Sequence, residues 1–356
     1  MTASAARRGV ISRSSTDFYT LGLRLGWEID IWGRVRATQR TAAFSAYSAE
    51  ADFLFTQYSI AASVARAYFL VIEAGLQLDV ARKSLNALER TNRIVNVQLD
   101  NGVATGLDVA LSQRDLANAR DSVIDAEGAQ RLAIRSLEVL LGRYPGALLD
   151  SRPELPATPP PPPAGLPSSL LQRRPDLIAA ELSVAAAFNN VRAAQAARLP
   201  TISLTSTLGG SSTELADVLD PENVAWQVAG NLVGPLFDGG LRQSAVDQGR
   251  AQQQQAAAGY AQAALDAFQE VETSLDQNEV LRAREEVLKQ AATQANRAFE
   301  LAQLRYQEGE TDLLDVLTIQ STAFAADSAL VTVQRALLEE WINLNLALGG
   351  DWETAP

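Results

Sequence analysis

Two stretches of this chain, Arg34 to Leu99 and Leu241 to Glu308, each run for more than sixty residues without a proline. Apolar residues recur at helical spacing, as at Val64, Tyr68 and Ile72 and then Leu78, Ala81, Leu85 and Leu88. A helix of that length spans about 100 Å at 1.5 Å per residue. No ordinary globular core accommodates it, which points to coiled-coil-like packing against other long helices. Each stretch ends in a break and is followed by a shorter helical pattern. Asn101-Gly102 ends the first, and Leu107–Leu141 returns. Arg305–Val316, reading Arg-Tyr-Gln-Glu-Gly-Glu-Thr-Asp-Leu-Leu-Asp-Val, ends the second, and Leu313–Leu348 returns. The expectation is two long antiparallel helical hairpins.

The hairpins read as copies of one unit. Gly309, Leu314, Asp315, Val316 and Gln320 lie 207 positions after Gly102, Leu107, Asp108, Val109 and Gln113. The same offset places Gly240 on Gly33, Val271 on Val64 and Leu348-Gly349 on Leu141-Gly142. It also preserves the parity of an alternating segment. From Tyr19 to Ile31, Tyr19, Leu21, Leu23, Leu25, Trp27, Ile29 and Ile31 alternate with polar residues or Gly, the pattern of a strand with one apolar face. The offset carries Tyr19, Leu21, Leu25 and Ile29 onto Trp226, Val228, Leu232 and Leu236. Soluble strands average about 5–6 residues, so this one is long. Its small or charged partners suit a water-filled lumen, and Tyr19 and Trp32 suit interfacial girdles. An amphipathic strand over a soluble core is the competing reading, and the segment by itself leaves both open.

Thirteen of the fourteen prolines fall between 145 and 235, five of them consecutive at Pro159–Pro163, which reads as an extended polyproline linker. Arg173-Arg174-Pro175-Asp176 opens another helix that continues to Ala197, with Pro at its first turn and Asp at the positive end of the dipole. Two strand patterns come next. Ile202, Leu204 and Leu208 alternate with Ser203, Thr205 and Thr207; Val224, Trp226, Val228 and Leu232 alternate with Ala225, Gln227, Ala229 and Asn231. Gly209-Gly210 through Pro221 reads as the polar connection between them.

The expected organisation is a first repeat over 1–142, a Pro-rich linker over 143–175, a second repeat over 176–350 and a tail over 351–356. Counterparts of the second copy's leading helix and first strand would fall at about −31 to 1, ahead of Met1. Met1–Ile11 is Ala/Arg-rich and lacks the apolar core of a signal peptide. The sequence therefore reads as an N-terminally truncated exported protein.

Composition narrows the function. There is no histidine and no cysteine, which removes thiol nucleophiles, disulfides, Cys/His metal sites and the usual neutral-pH acid–base group. No catalytic constellation is visible, so the reading is not an enzyme and includes no cofactor and no metal. A formal charge of −12 argues against a nucleic-acid partner. No run of eighteen apolar residues exists, so no transmembrane helix is expected.

Taken together, several motifs resemble the TolC/OprM family of outer-membrane efflux channel proteins, in particular its OprM-like (NodT-type) drug-efflux branch. They are Trp27-Glu28-Ile29-Asp30-Ile31-Trp32-Gly33-Arg34, Leu140-Leu141-Gly142-Arg143-Tyr144-Pro145 and Leu170-Leu171-Gln172-Arg173-Arg174-Pro175-Asp176-Leu177. Leu199-Pro200-Thr201-Ile202-Ser203-Leu204, Gly234-Pro235-Leu236-Phe237-Asp238-Gly239-Gly240 and Arg305–Val316 complete the set, which falls in the family's order within a resemblance covering residues 17 to 350.

The resemblance implies a mainly α fold with membrane β. Three protomers would form an α-barrel of long hairpins and a 12-stranded transmembrane β-barrel, four strands per complete protomer. It implies a passive exit duct for drugs or other small molecules in the outer membrane, working with a periplasmic adaptor and an inner-membrane transporter. Many members of this branch carry a lipidated N-terminal Cys, which this sequence lacks. The competing class is a soluble periplasmic coiled-coil scaffold or adaptor.

The resemblance also implies where the duct closes. Leu314 and Asp315 would repeat threefold around the bore, giving a dewetting constriction and a cation-preferring carboxylate ring, with Asp312 a further acid. Arg305 and Tyr306 would tie neighbouring helices shut, with Asp108 as acceptor, and Gly102 and Gly309 would form the tip turns. Simpler readings stand beside these: αL caps for the glycines, helix-start capping for the aspartates, and a solvated, adaptor-facing tip for Arg305 and Tyr306.

Overall fold

The computed structural model describes residues 18–149, 154–160 and 172–350. Met1–Ile11, part of the Pro159–Pro163 run and the 351–356 tail lie outside them. In chain order the elements are β1 (Tyr19–Ile29), α1 (Arg34–Asp100), α2 (Gly106–Leu140), α3 (Pro175–Ala196), β2 (Thr201–Ser212), β3 (Val224–Val233), α4 (Leu241–Gln307) and α5 (Leu313–Ala347). A short 3₁₀ turn, Leu215–Leu219, lies between β2 and β3. The helices α1 and α4 have 67 residues each, α2 and α5 have 35 each, and in both pairs the second begins 207 positions after the first. Internal contacts gather the chain into two compact units, each drawing on both halves of the sequence. One takes the chain through Ala46 with Leu182–Ala257; the other takes Tyr47–Glu181 and the chain from Ala258 onwards.

The first unit is built on an antiparallel sheet in the order β1-β2-β3. Its register sorts the side chains by polarity. Leu23, Leu208 and Trp226 lie in one cross-strand row, Leu25, Ser206 and Val228 in the next but one, and Ile29, Ile202 and Leu232 at the end. The opposite face carries rows such as Arg24, Thr207, Gln227 and Glu28, Ser203, Asn231. Leu23, Leu25 and Trp27 are each about 60% exposed, and Trp226 is 77% exposed. A sheet packed on a soluble core would bury such a face.

Two strand boundaries differ from the sequence expectation. β1 stops at Ile29 because Asp30 turns away, its carboxylate accepting from the backbone N–H groups of Val35 and Arg36 at 3.0 and 2.9 Å, which caps α1. Glu28 pairs with Arg34 beside it at 2.5 Å. The other difference is at Gly209-Gly210, which lie inside β2 and not in the loop after it. A Cβ on Gly209 would sit 2.6 Å from the Leu21 carbonyl oxygen, and one on Gly210 would sit 1.7 Å from that of Val218. These glycines admit neighbouring backbone rather than make a turn.

The second unit holds the hairpins. Val71 of α1 packs with Ala133, Ile134 and Leu137 of α2, and Leu281 of α4 packs with Val333 and Leu337 of α5. Each hairpin thus has its own seam. A larger cluster joins all four helices, combining Leu88 and Val95, Ala119, Phe299 and Ala302, and Val316, Leu317 and Ala323. Where residue 174 enters α3, its guanidinium is 3% exposed and fully engaged. Arg174 donates to both Asp176 oxygens at 3.1 and 2.7 Å, to Glu270 at 2.7 Å and to the Ala347 carbonyl at 3.1 Å.

The helix ends explain why the hairpin boundaries match the sequence so closely. Gly102, Gly142, Gly309 and Gly349 all have φ between 68° and 98°, the left-handed region that favours glycine. At each, the residue beyond donates to the carbonyl five positions back: Val103 to Gln98, Arg143 to Glu138, Glu310 to Arg305 and Gly350 to Asn345, all at 2.8–2.9 Å. These are Schellman caps. By length and composition, α1 and α5 each also contain an 18-residue window apolar enough to cross a membrane, with mean hydropathy of 1.4 and 1.3. Polar residues punctuate both windows, so neither contains the unbroken apolar run sought in the sequence. Helices that pack along their length in a bundle reach the same hydropathy.

Candidate functional site at the hairpin tips

Gly102 closes the first tip and Gly309 the second, each with open space around the position a Cβ would take. Their positive φ is therefore the reason for glycine there. Beyond the turns, the two tips differ.

At the first tip, Thr105 is the N-cap of α2. Its hydroxyl accepts from the Asp108 N–H at 3.3 Å, and the Asp108 carboxylate accepts from the Thr105 N–H and hydroxyl, both at 2.7 Å. This is a reciprocal capping box. The Thr105 backbone N–H and hydroxyl hold the Asp108 carboxyl below its ordinary range, with burial opposing weakly. Asp108 was expected as an acceptor for Arg305 or Tyr306; within the protomer its hydrogen bonds go to Thr105.

Tyr306 lies in the core. It is 7% exposed and packs in the four-helix cluster. Burial raises its phenol pKa, and the Asp108 charge adds to the shift. Arg305 stands exposed in the last turn of α4, and among the described residues it forms no ion pair. Of the three expected tip-closing residues, one is a cap, one is core and one is free at the surface.

At the second tip, Asp312 is the N-cap of α5 but makes no side-chain cap bond. Asp315 accepts from the Thr311 hydroxyl at 3.3 Å. Both carboxylates are exposed. The helix start is anchored through its apolar side: Leu313, Val316 and Leu317 are buried at 3%, 1% and 6% exposure, whereas Leu314 between them is 57% exposed. Leu314 and Asp315 thus share the face turned away from the protomer's own core.

Behind this face runs a groove of about 490 Å³ between α1, α2 and α5, lined by residues that include Leu88, Asp115, Asn118, Leu314 and Gln320. Gln320 is 1% exposed, and neither amide atom has a hydrogen-bond partner in the protomer. The sequence marked this residue only by its recurrence with Gln113. A stronger signal was its place on the apolar stripe of Val316, Leu317 and Ala323, where an amide is out of keeping. Among the described residues, no group of three His, Cys, Asp or Glu could hold a metal ion.

Comparison with known proteins fixes the class. The chain matches the outer membrane efflux protein family over residues 1–143 and 166–350, and it belongs to that family. It is 33% identical over 341 residues to the pyoverdine export outer membrane protein OpmQ of Pseudomonas aeruginosa, covering 96% of this chain and 72% of that one. It is 30% identical over 360 residues to the outer membrane protein OprJ of the same species, covering 98% and 73%. Among solved structures, the outer-membrane channel OprN superposes with a TM-score of 0.87 at 29% identity, covering 94% of this chain and 76% of that one. CusC superposes with a TM-score of 0.86 at 26% identity, covering 95% and 79%.

The protein is thus an outer-membrane channel component of an efflux system. The soluble scaffold or adaptor is set aside. The family is one of channels rather than enzymes.

Proposed function

We propose that three copies of this chain assemble around a common axis into a passive duct, closed at the hairpin tips by rings of Leu314 and Asp315. The observation that carries the proposal is the placement of these two side chains. They are exposed at the start of a helix whose neighbouring residues are buried, so assembly can bring them to the axis without disturbing the protomer's core. Three leucines narrow and dry the passage, and three carboxylates favour cations. Asp312 adds a second acid one turn earlier, and Arg305 remains available to a neighbouring protomer or an adaptor.

The wider architecture belongs to the same proposal. The equal helix lengths and the constant 207-residue spacing support two copies of one repeat, 1–142 and 176–350, joined by the linker 143–175. The sheet's exposed apolar face and its polar reverse suit a lipid-facing wall and a wet lumen of a trimeric, 12-stranded barrel. The coiled-coil length of the hairpins suits a periplasmic α-barrel that meets an adaptor protein and an inner-membrane transporter at the tips.

The test is single-channel recording in planar bilayers. Asp315→Asn is expected to reduce cation preference and change conductance, and Leu314→Ala to raise the closed-state current. Wild-type currents from both variants would dismiss the ring.

A further inference from the structure

The first strand-to-helix corner carries a basic groove that the channel reading does not use. Its volume is about 400 Å³, and its lining includes Trp32, Arg36, Arg40, Asn189, Arg192 and Gln195. Three arginines and no carboxylate line it, in a chain whose formal charge is −12. Arg36 is partly engaged, donating to the Asp30 carboxylate at 3.1 Å and to the Asp30 carbonyl at 3.0 Å. Arg40 is exposed and forms no ion pair among the described residues. The Arg192 guanidinium lies 5.8 Å from the centre of the Phe188 ring, a contact that uses its face and leaves its N–H groups free. The Asn189 amide nitrogen is occupied by the Ala185 carbonyl, so the charged donors of the groove are its arginines.

This positive groove is not needed to build such a corner. At the positions 207 residues on, Arg36 and Arg40 are replaced by Gln243 and Asp247. Those two bond to each other at 3.0 and 3.1 Å, and Asp247 also meets Arg250 at 3.5 Å. At the second corner the charges are balanced, Arg250 meeting Asp247 and Arg242 meeting Asp238, whereas the first leaves Arg40 without an ion pair among the described residues.

The location suggests the ligand. The exposed apolar row of β1 ends at Trp27, and beyond it the Trp32 indole N–H donates to the Pro200 carbonyl at 2.7 Å. Trp marks the boundary between hydrocarbon and headgroups. A groove of arginines beside that boundary lies where phospholipid phosphates lie, and the guanidinium fork fits phosphate oxygens. Basic pockets at this depth hold anionic lipid headgroups.

We infer that this groove binds the phosphate of an anionic phospholipid, with Arg40 and Arg192 as its principal donors. The inference rests on the reading that β1–β3 cross the membrane.

The test uses the full chain purified in detergent, with lipid retention measured by native mass spectrometry. Phosphatidylglycerol is expected to be retained several-fold over phosphatidylcholine. Arg40→Glu with Arg192→Glu should abolish that preference, while Arg250→Glu at the second corner leaves it intact. If charge reversal impairs assembly, Arg40→Gln with Arg192→Gln provides a milder loss of preference in an intact protein. Equal retention of phosphatidylglycerol by wild type and both double variants would overturn the site. So would complete displacement of the lipid by millimolar inorganic phosphate, which would reduce the groove to a simple anion site. Conductance in phosphatidylcholine bilayers reads the duct separately. Conducting channels without lipid preference overturn the groove alone, and lipid preference without conductance supports the groove while removing the duct.

Discussion

At the first tip Thr105 and Asp108 satisfy each other's backbone N–H groups; at the second the same two positions hold Asp312 and Asp315, and the Asp312 side chain makes no cap bond. Donor counting accounts for the missing link between the two side chains. A reciprocal box in which the cap is also tied side chain to side chain needs a hydroxyl, which donates and accepts, facing a carboxylate, which only accepts. Two carboxylates offer no donor to each other and repel. The first helical position differs in the compensating sense. It is Gly106 in α2, with open space where a Cβ would be, and Leu313 in α5, buried in the four-helix cluster. One tip is held by polar capping and the other by an apolar anchor, which leaves the second tip's acids in solvent.

The largest test of this contrast is Leu313→Ala. Removing a leucine that is 3% exposed should destabilise the second tip by about 2–5 kcal/mol. Hydrogen exchange should show the loss in the amides at the start of α5, with the start of α2 unaffected. Equal loosening of both tips would mean that the cluster, rather than Leu313, anchors the helix.

A smaller effect, about 1 kcal/mol, is expected from Thr105→Ala at the first tip. It should be accompanied by a change in pH dependence. The folded-state pKa of Asp108 is lowered, so its contribution is fully present above its unfolded value of about 3.9 and is lost as pH falls through the lower folded value. In wild type, protection from exchange at the first tip, taken relative to the intrinsic rate at each pH, should therefore fall in acid below that range. Thr105→Ala should flatten the acid limb, and an unchanged limb would assign it to another carboxylate.

The smallest effect is a gain. Asp312→Thr recreates the Thr-x-x-Asp box at the second tip and should slow exchange there, by up to about 1 kcal/mol. The wild-type sequence forgoes that stabilisation, as expected if an exposed acid is needed there for another purpose. A variant as labile as wild type would show that backbone geometry, and not side-chain chemistry, prevents the box.

The sequence disclosed the helices almost to the residue because their limits are set by local chemistry. Proline is absent from the interiors, and glycine at a left-handed position ends each long helix and each return helix. The sheet's polarity was readable for a similar reason, since alternation along one strand survives whatever it pairs with. The roles of Gly209 and Gly210 were hidden, because the atoms that demand glycine belong to Leu21, Gly22 and Val218, distant or looped-back segments. The burial of Tyr306 was hidden for a related reason. A polar-tipped aromatic near a helix end reads as surface until the opposing hairpin is seen to cover it. Asp108 looked like a partner for another helix, but its first obligation was to its own helix start.

Arg174 fixes the far end of the second hairpin, binding Glu270 on α4 and the carbonyl of Ala347, the last residue of α5. The tip residue Leu314 lies near the other end of the same 35-residue helix, roughly 50 Å away at the helical rise. In mechanical terms α5 is a rod held at both ends, clamped by Arg174 at its root and seated by Leu313, Val316 and Leu317 in the four-helix cluster at its tip. A displacement of Leu314 therefore does not come easily from sliding the whole rod. It has to be distributed as slight curvature and twist over nearly ten turns, each departing little from its resting geometry.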